Sequence, residues 1–261
     1  MTDKTADQGY VKLELTEGIG TISFFHPASN SLPGKILSEL AATIENAGVD
    51  ENIKVIVLKS AGDRAFCAGA SFDELIAIQN LDEGKRFFSG FASVINAMRK
   101  CPKFIVGRVQ GKTVGGGVGL ASAVDLCFAT KFASVKLSEL AIGIGPFVVG
   151  PAVERKVGIS GMNALAIDAT TWKTPEWAKE KGLFAEVFES TEELDEAVNT
   201  LSKKLSKSNP DAMRALKEIF WKGTEDWDEL LANRAALSGE LVLSSFTRDA
   251  ISAFKNERKS K

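Results

Sequence analysis

Three consecutive glycines, Gly115-Gly116-Gly117, stand between an apolar run (Phe104, Ile105, Val106, Val109) and a small, apolar segment (Val118, Leu120, Ala121, Ala123, Val124, Leu126). The run predicts a buried strand, and the segment predicts a helix packed among other helices. At such a junction the first helical N–H groups have no internal acceptor and sit at the positive end of the helix dipole. Glycine lets a ligand approach them, because no Cβ intervenes. The chemistry open to this stretch is binding of an anion, or of an oxygen that gains charge during reaction. Close helix-on-sheet packing accounts for the glycines equally well. The stretch is not a Walker loop, lacking Lys-Ser/Thr after its last glycine, nor a GxGxxG in its usual place. A second small-residue segment, Phe66-Cys67-Ala68-Gly69-Ala70-Ser71, leaves a polar turn and is also placed to offer free N–H groups.

Composition narrows the chemistry. The chain of 261 residues has one histidine, His26. Ser-His-Asp hydrolysis, Cys-His proteolysis and multi-histidine metal sites are set aside, and acid–base work falls to carboxylates, Lys, Tyr10 or the backbone. His26 precedes Pro27 in a turn-rich loop, a place for packing rather than catalysis. Cys67, Cys101 and Cys127 lack CxxC spacing and read as buried reduced thiols; no metal site is expected. A formal net charge of −2 gives no support to a nucleic-acid or anionic-membrane partner. No apolar run could span a bilayer, and the polar start MTDKTADQGY lacks a signal-peptide core, so a cytoplasmic location is expected. With 44% apolar and 25% charged residues, the chain can bury one substantial core.

The elements that must position these segments follow from periodicity. Residues 10–25 predict a hairpin around Thr16-Glu17-Gly18, and 35–48 carry apolar residues at helical spacing. Ile53 to Leu58 is a buried parallel-type strand, Phe72 to Ile78 starts a helix, and another helix runs through Phe87, Phe91, Val94, Ile95 and Met98. After the central helix come a strand-to-loop segment from Ser134 to Leu140, an apolar glycine-containing loop, and a helix from Val149 to Val157. Thr174 should cap a helix with Pro175 at its first position, and Gly182 to Phe188 reads as a last strand. From Thr191 the chain reads as helical. Alternating strands and helices imply right-handed crossovers in a layered α/β unit.

Seven motifs in order resemble the crotonase superfamily, the enoyl-CoA hydratase/isomerase family, over nearly the whole chain. They are His26-Pro27-Ala28-Ser29-Asn30-Ser31-Leu32, Ala65-Phe66-Cys67-Ala68-Gly69-Ala70, and Val109-Gln110-Gly111 with Gly115-Gly116-Gly117; then Asp125, Ser138-Glu139 with Gly143 and Pro146, Gly182-Leu183 with Val187, and Ala253 to Arg258. The resemblance implies a ββα spiral core over 1–190 and a C-terminal helical trimerisation region over 191–261. It implies that the N–H groups of Ala70 and Gly116 form an oxyanion hole for a thioester carbonyl. Ala68 and Phe72 would line the adenine pocket of coenzyme A, and Phe254 and Lys255 would close it. The implied partner is an acyl-CoA thioester, with no cofactor beyond the CoA it carries, and the implied assembly is a homotrimer or homohexamer.

The sequence departs from the hydratase pattern in two places. Where hydratases carry two glutamates, this chain has Gly119 at the first position and Glu139 at the second; where they carry Pro-Gly, it has Pro146-Phe147. Adding water needs a base for the water and an acid for Cα, tasks that paired carboxylates share. Moving a double bond needs one group that takes a proton from Cα and returns it at Cγ. A lone Glu139 among Leu137, Leu140, Ala141 and Ile142 suits that shuttle, with a pKa raised by desolvation. Gly119 and Phe147 are then expected to shape the acyl pocket. Asp73 and Glu74 are candidates for a substitute second carboxylate, although a solvated helix face is the plainer expectation. The expected activity is single-glutamate proton transfer on a CoA-thioester enolate: isomerisation or a related step such as decarboxylation. The alternatives are a 2-enoyl-CoA hydratase with a non-standard second group, and a non-catalytic acyl-CoA-binding protein.

Overall fold

In the computed structural model the backbone is described from residue 9 to 259 and side chains to 253. The expected hairpin is β1 (Tyr10–Thr16) and β2 (Ile19–Phe25), in antiparallel register from Tyr10–Phe25 to Thr16–Ile19. Glu17 and Gly18 turn it at φ of 51° and 79°, the left-handed pair that a two-residue hairpin demands. β3 (Ser31–Leu32) precedes α1 (Gly34–Val49), whose Ile36, Leu37, Leu40, Ala41 and Ile44 are all buried, as their spacing predicts. β4 (Val55–Ser60), β5 (Ala65–Cys67) and β6 (Gly69–Ala70) lead to α2 (Phe72–Ala77) and α3 (Leu81–Lys100). Asn80 caps α3 by accepting from the Glu83 N–H at 3.0 Å, while Glu83 accepts from the Gln79 N–H at 2.8 Å.

β7 (Ile105–Val109) is the strand that leads to the glycine triplet. Two differences from expectation surround that triplet. Lys112 begins a strand, β8 (Lys112–Val114), rather than ending a turn, and α4 (Gly116–Ala123) stops short of Leu126, which instead starts β9 (Leu126–Thr130). The helix ends because Val124 is extended and Asp125 turns its carboxylate back to accept the Ile105 N–H at 2.7 Å. β10 (Val135–Lys136) and one 3-10 turn (Glu139–Ile142) precede α5 (Gly150–Ile167), which continues past Val157 through a break at Gly158, φ 68°. α6 (Pro175–Glu180) is capped as expected, with Thr174 Oγ1 accepting from the Trp177 N–H. β11 (Glu186–Phe188) is shorter than the strand expected from Gly182; α7 (Thr191–Leu205), α8 (Pro210–Phe220), α9 (Trp227–Leu241) and α10 (Ser245–Lys259) complete the chain.

Six strands form one sheet in the order β1-β2-β4-β7-β9-β11, parallel except for the β1 edge. Beyond the C-terminal ends of β2, β4, β7 and β9 the chain makes a short strand before its helix, and these short strands pair as β3-β6 and β10-β8-β5. This repeated strand, short strand, helix unit is the ββα spiral the resemblance implies. It gathers the glycine triplet, the Ala70 segment and Glu139 beyond the same ends of the long strands. α7 covers the opposite sheet face, where Leu194 and Val198 pack on Val55, Val57 and Val106. Trp221, Trp227, Leu231 and Ala235 belong to the main core with Phe24 and Ile95, so the helices after 191 share the spiral's interior.

Asp125 ties the two parts together. Its carboxylate accepts from Ile105 N–H, from Trp221 Nε1 at 3.0 Å and from Lys217 Nζ at 2.9 Å, while its carbonyl accepts from Lys156 Nζ. The Asp125 and Lys217 side chains are 8% and 3% exposed. Removing one partner of such a pair strands a buried charge, at a cost of about 3–5 kcal/mol. Lys217→Met is expected to lose that much in urea unfolding followed by circular dichroism, with partial recovery on adding Asp125→Asn.

Candidate active site

The glycine turn is built by close approach. Gly115 has φ 53°, and its N–H donates to Lys136 O at 2.9 Å, which fixes the turn to β10. Gly116 is then the first residue of α4, where an N–H has no acceptor within its own helix. A Cβ placed on Gly116 would lie 2.3 Å from the Phe91 ring, and one on Gly117 would lie 2.6 Å from Cys67 O. The helix start is therefore pressed against α3 on one side and β5 on the other.

Ala70 comes to the same place from β6. Ser71 N–H donates to Leu32 O at 3.0 Å and Ser31 Oγ donates to Ala70 O at 2.8 Å, so β6 is held to β3. N–H groups alternate sides along an extended strand, so the Ala70 N–H faces away from β3. A Cβ on Gly69 would stand 3.2 Å from Val114 O and 3.7 Å from Gly116 N, which sets the Ala70 segment beside the glycine turn. The Ala70 segment and the start of α4 thus lie side by side.

The loop that delivers Ala70 is pinned by two amides whose role sequence reasoning missed. Asn30, at φ 56°, donates from Nδ2 to Ala61 O and Ala65 O, both at 2.9 Å, and accepts at Oδ1 from the His26 N–H. Gln110 donates from Nε2 to Ser60 Oγ, Gly62 O and Ala65 O. An asparagine in a turn-rich stretch signals such local bonding; Gln110 is marked only by its place in the Val109-Gln110-Gly111 motif.

Glu139 opens the 3-10 turn with its carboxyl directed inward. A Cβ on Gly115 would meet Glu139 Oε1 at 3.0 Å and its Cδ at 3.5 Å, so the carboxyl lies on the residue next to Gly116. The residue as a whole is half-buried, but Oε2 is buried and has no hydrogen-bond partner. Burial pushes the carboxyl up to about 7, opposed by the N–H groups of Glu139 and Ser138. The direction is the one expected. Leu140 is 51% exposed and Ala141 is exposed too, whereas Leu137 is buried, Ile142 half-buried, and the carboxyl lies against Gly115.

The acyl-pocket positions behave differently from each other. The room left by Gly119 is filled: a Cβ there would lie 2.5 Å from Val149 Cγ1 and 2.8 Å from Val149 Cβ. Of the two readings of Gly119, a helix glycine that permits close packing or room for an acyl chain, the contact with Val149 is of the close-packing kind. Phe147 is half-buried, with its ring lying over Gly145. Glu74 accepts from the Gly34 N–H at 2.9 Å and serves the start of α1, while Asp73 is exposed. His26 is held below its usual range chiefly by burial. Cys67, Cys101 and Cys127 are free and buried.

Of the expected CoA-binding positions, Ala68 is half-buried and donates its N–H to Asn30 O at 3.2 Å, and Phe72 is half-buried at the start of α2. The side chains of Phe254 and Lys255 lie outside the described residues. Among the described residues no group of three or more His, Cys, Asp or Glu gathers as a metal site would, and no helix is long and apolar enough to cross a membrane.

The family model described as enoyl-CoA hydratase/isomerase matches residues 14–261. A short-chain-enoyl-CoA hydratase of Clostridium acetobutylicum is 27% identical, over 95% of this chain and 95% of its own. A peroxisomal Delta(3,5)-Delta(2,4)-dienoyl-CoA isomerase of Arabidopsis thaliana is 26% identical, over 97% of each chain. The crystal structure of an enoyl-CoA hydratase from Bacillus halodurans superposes with a TM-score of 0.86 at 22% identity, over 94% of this chain and 99% of that one, a likeness of fold. With its spiral core and a family match over nearly its whole length, the chain belongs to the enoyl-CoA hydratase/isomerase family of the crotonase superfamily.

Proposed function

We propose that this family member carries out single-base proton transfer on an acyl-CoA thioester, moving a double bond from the 3- to the 2-position. The N–H groups of Ala70 and Gly116 hold the thioester oxygen as it gains charge, and Glu139 takes a proton from Cα and returns it at Cγ. The observation that carries the reading is a buried Glu139 carboxyl, whose Oε2 has no hydrogen-bond partner, together with the loss of room for a second carboxyl at Gly119, where Val149 stands. Fixed main-chain dipoles suit an enolate because they need no reorganisation as charge develops. The reaction uses no cofactor beyond the CoA of the substrate. A 2-enoyl-CoA hydratase is the second reading, favoured by relatives that carry that name.

Incubation with short, branched and long 3-enoyl- and 2-enoyl-CoA esters in deuterated water separates the two. The expected products carry deuterium at Cα or Cγ and a migrated double bond; efficient hydration without migration sinks the proposal. The base must be ionised to accept the first proton. With burial holding Glu139 at about 7, kcat/KM for isomerisation is expected to fall as pH drops through that value, with its half-maximum near it. A half-maximum near the ordinary carboxylate value would show a solvated Glu139.

A further inference from the structure

The 3-10 turn that carries Glu139 is held from outside by the chain's last two helices. Gly143, which caps the turn, has φ 81° and returns its N–H to Glu139 O and Leu140 O, with Ile144 N–H also donating to Glu139 O. The Gly143 carbonyl points the other way and accepts from Thr247 Oγ1 of α10 at 3.2 Å. Thr247 is fully buried, accepts at Oγ1 from Ser244 Oγ at 3.1 Å, and lies so close that a Cβ on Gly143 would meet its Oγ1 at 2.6 Å. Further along the loop, Arg234 of α9 donates from Nη1 to Phe147 O at 3.2 Å. Ile144 and Ile251 share a small apolar cluster with Leu75 and Val242 beneath these bonds. Both contacts grip carbonyls, so they fix where the loop lies whatever side chains it bears.

We infer that Thr247 is a positioning residue for Glu139: through the Gly143 carbonyl it holds the turn that keeps the Glu139 carboxyl folded against Gly115. Thr247 touches no reacting atom in this role. The inference rests on the reading of Glu139 as the base for its kinetic part only. If the Thr247 bond is lost, the turn loosens and the carboxyl gains water. No charged side chain sets the present state of that carboxyl, which burial raises and the Ser138 and Glu139 N–H groups oppose. Hydration is therefore the change to look for.

The test compares Thr247→Val with Thr247→Ser in the full chain. Glu139 is titrated by difference infrared spectroscopy against Glu139→Gln, and kcat and KM are measured with a 3-enoyl-CoA. Thr247→Val is expected to move the carboxyl titration down from about 7 toward its ordinary range, and to lower kcat about ten- to a hundredfold with little change in KM, as for a misplacement of about 1 Å. Thr247→Ser restores both. A Thr247→Val protein with lower melting temperature but unmoved titration and kcat overturns the inference. A moved titration with unchanged kcat supports the positioning role and instead sinks Glu139 as the base. Should Thr247→Val not fold, Thr247→Cys keeps the volume with a weaker donor and carries the same readouts.

Discussion

Glu139→Gln is expected to lower kcat for double-bond migration by about a hundred- to ten-thousandfold, the usual contribution of a positioned acid–base group. KM should change little, because the amide keeps the shape of the carboxyl and the backbone donors remain. The same variant carries a stability signature that reports the carboxyl's burial independently of turnover. Burial raises Glu139 from 4.5 to about 7, so between those values the folded chain holds a proton that the unfolded chain has released. Stability therefore falls as pH rises through that window and levels off above it. The neutral amide escapes this cost. Relative to the parent, Glu139→Gln should gain on the order of 3 kcal/mol at about pH 8 and nothing at about pH 4. Urea unfolding at the two pH values reads the difference; an equal offset at both would mean that water reaches the carboxyl.

Gly116→Ala is expected to cost a hundred- to a thousandfold in rate, through the oxyanion donor instead of the base. The added Cβ would lie 2.3 Å from the Phe91 ring, far inside the usual carbon–carbon contact of about 3.5–4.0 Å. Phe91 is buried, so the start of α4 must give way with it. A shift of about 1 Å in a positioned group is enough for about a hundredfold loss. Phe91→Leu in the same chain shortens that wall and should return part of the rate. If Gly116→Ala turns over at the parental rate, the Gly116 N–H is not holding the oxygen.

Much of this arrangement was legible in local pattern. The β1–β2 hairpin, the Thr174 cap and the buried stripe of α1 each follow from a few adjacent residues. The glycine triplet marked where backbone donors would be exposed. What local pattern missed was set by distant partners. Leu126 reads as the end of an apolar helix, and only Asp125 reaching back to Ile105 makes it the start of β9. Gly119 reads equally as a close-packing helix glycine or as room for an acyl chain, and it is Val149, far along the chain, that packs against it. Glu139 lies against Gly115, and its turn is bonded by Thr247, a contact that no periodicity encodes.

The knot at Asp125 bears on how the polypeptide acquires its shape during synthesis. β7 and β9 emerge from the ribosome well before Lys217 and Trp221, the groups that neutralise and bind the carboxylate between those strands. A nascent product ending near residue 190 would hold this carboxylate with its Ile105 N–H bond and the nearby Arg155 and Lys156 charges, but without its Lys217 ion pair and Trp221 bond. Asp125 gains its full set of partners only when α8 and Trp221 are made, so this joint between early strands is completed by a late segment.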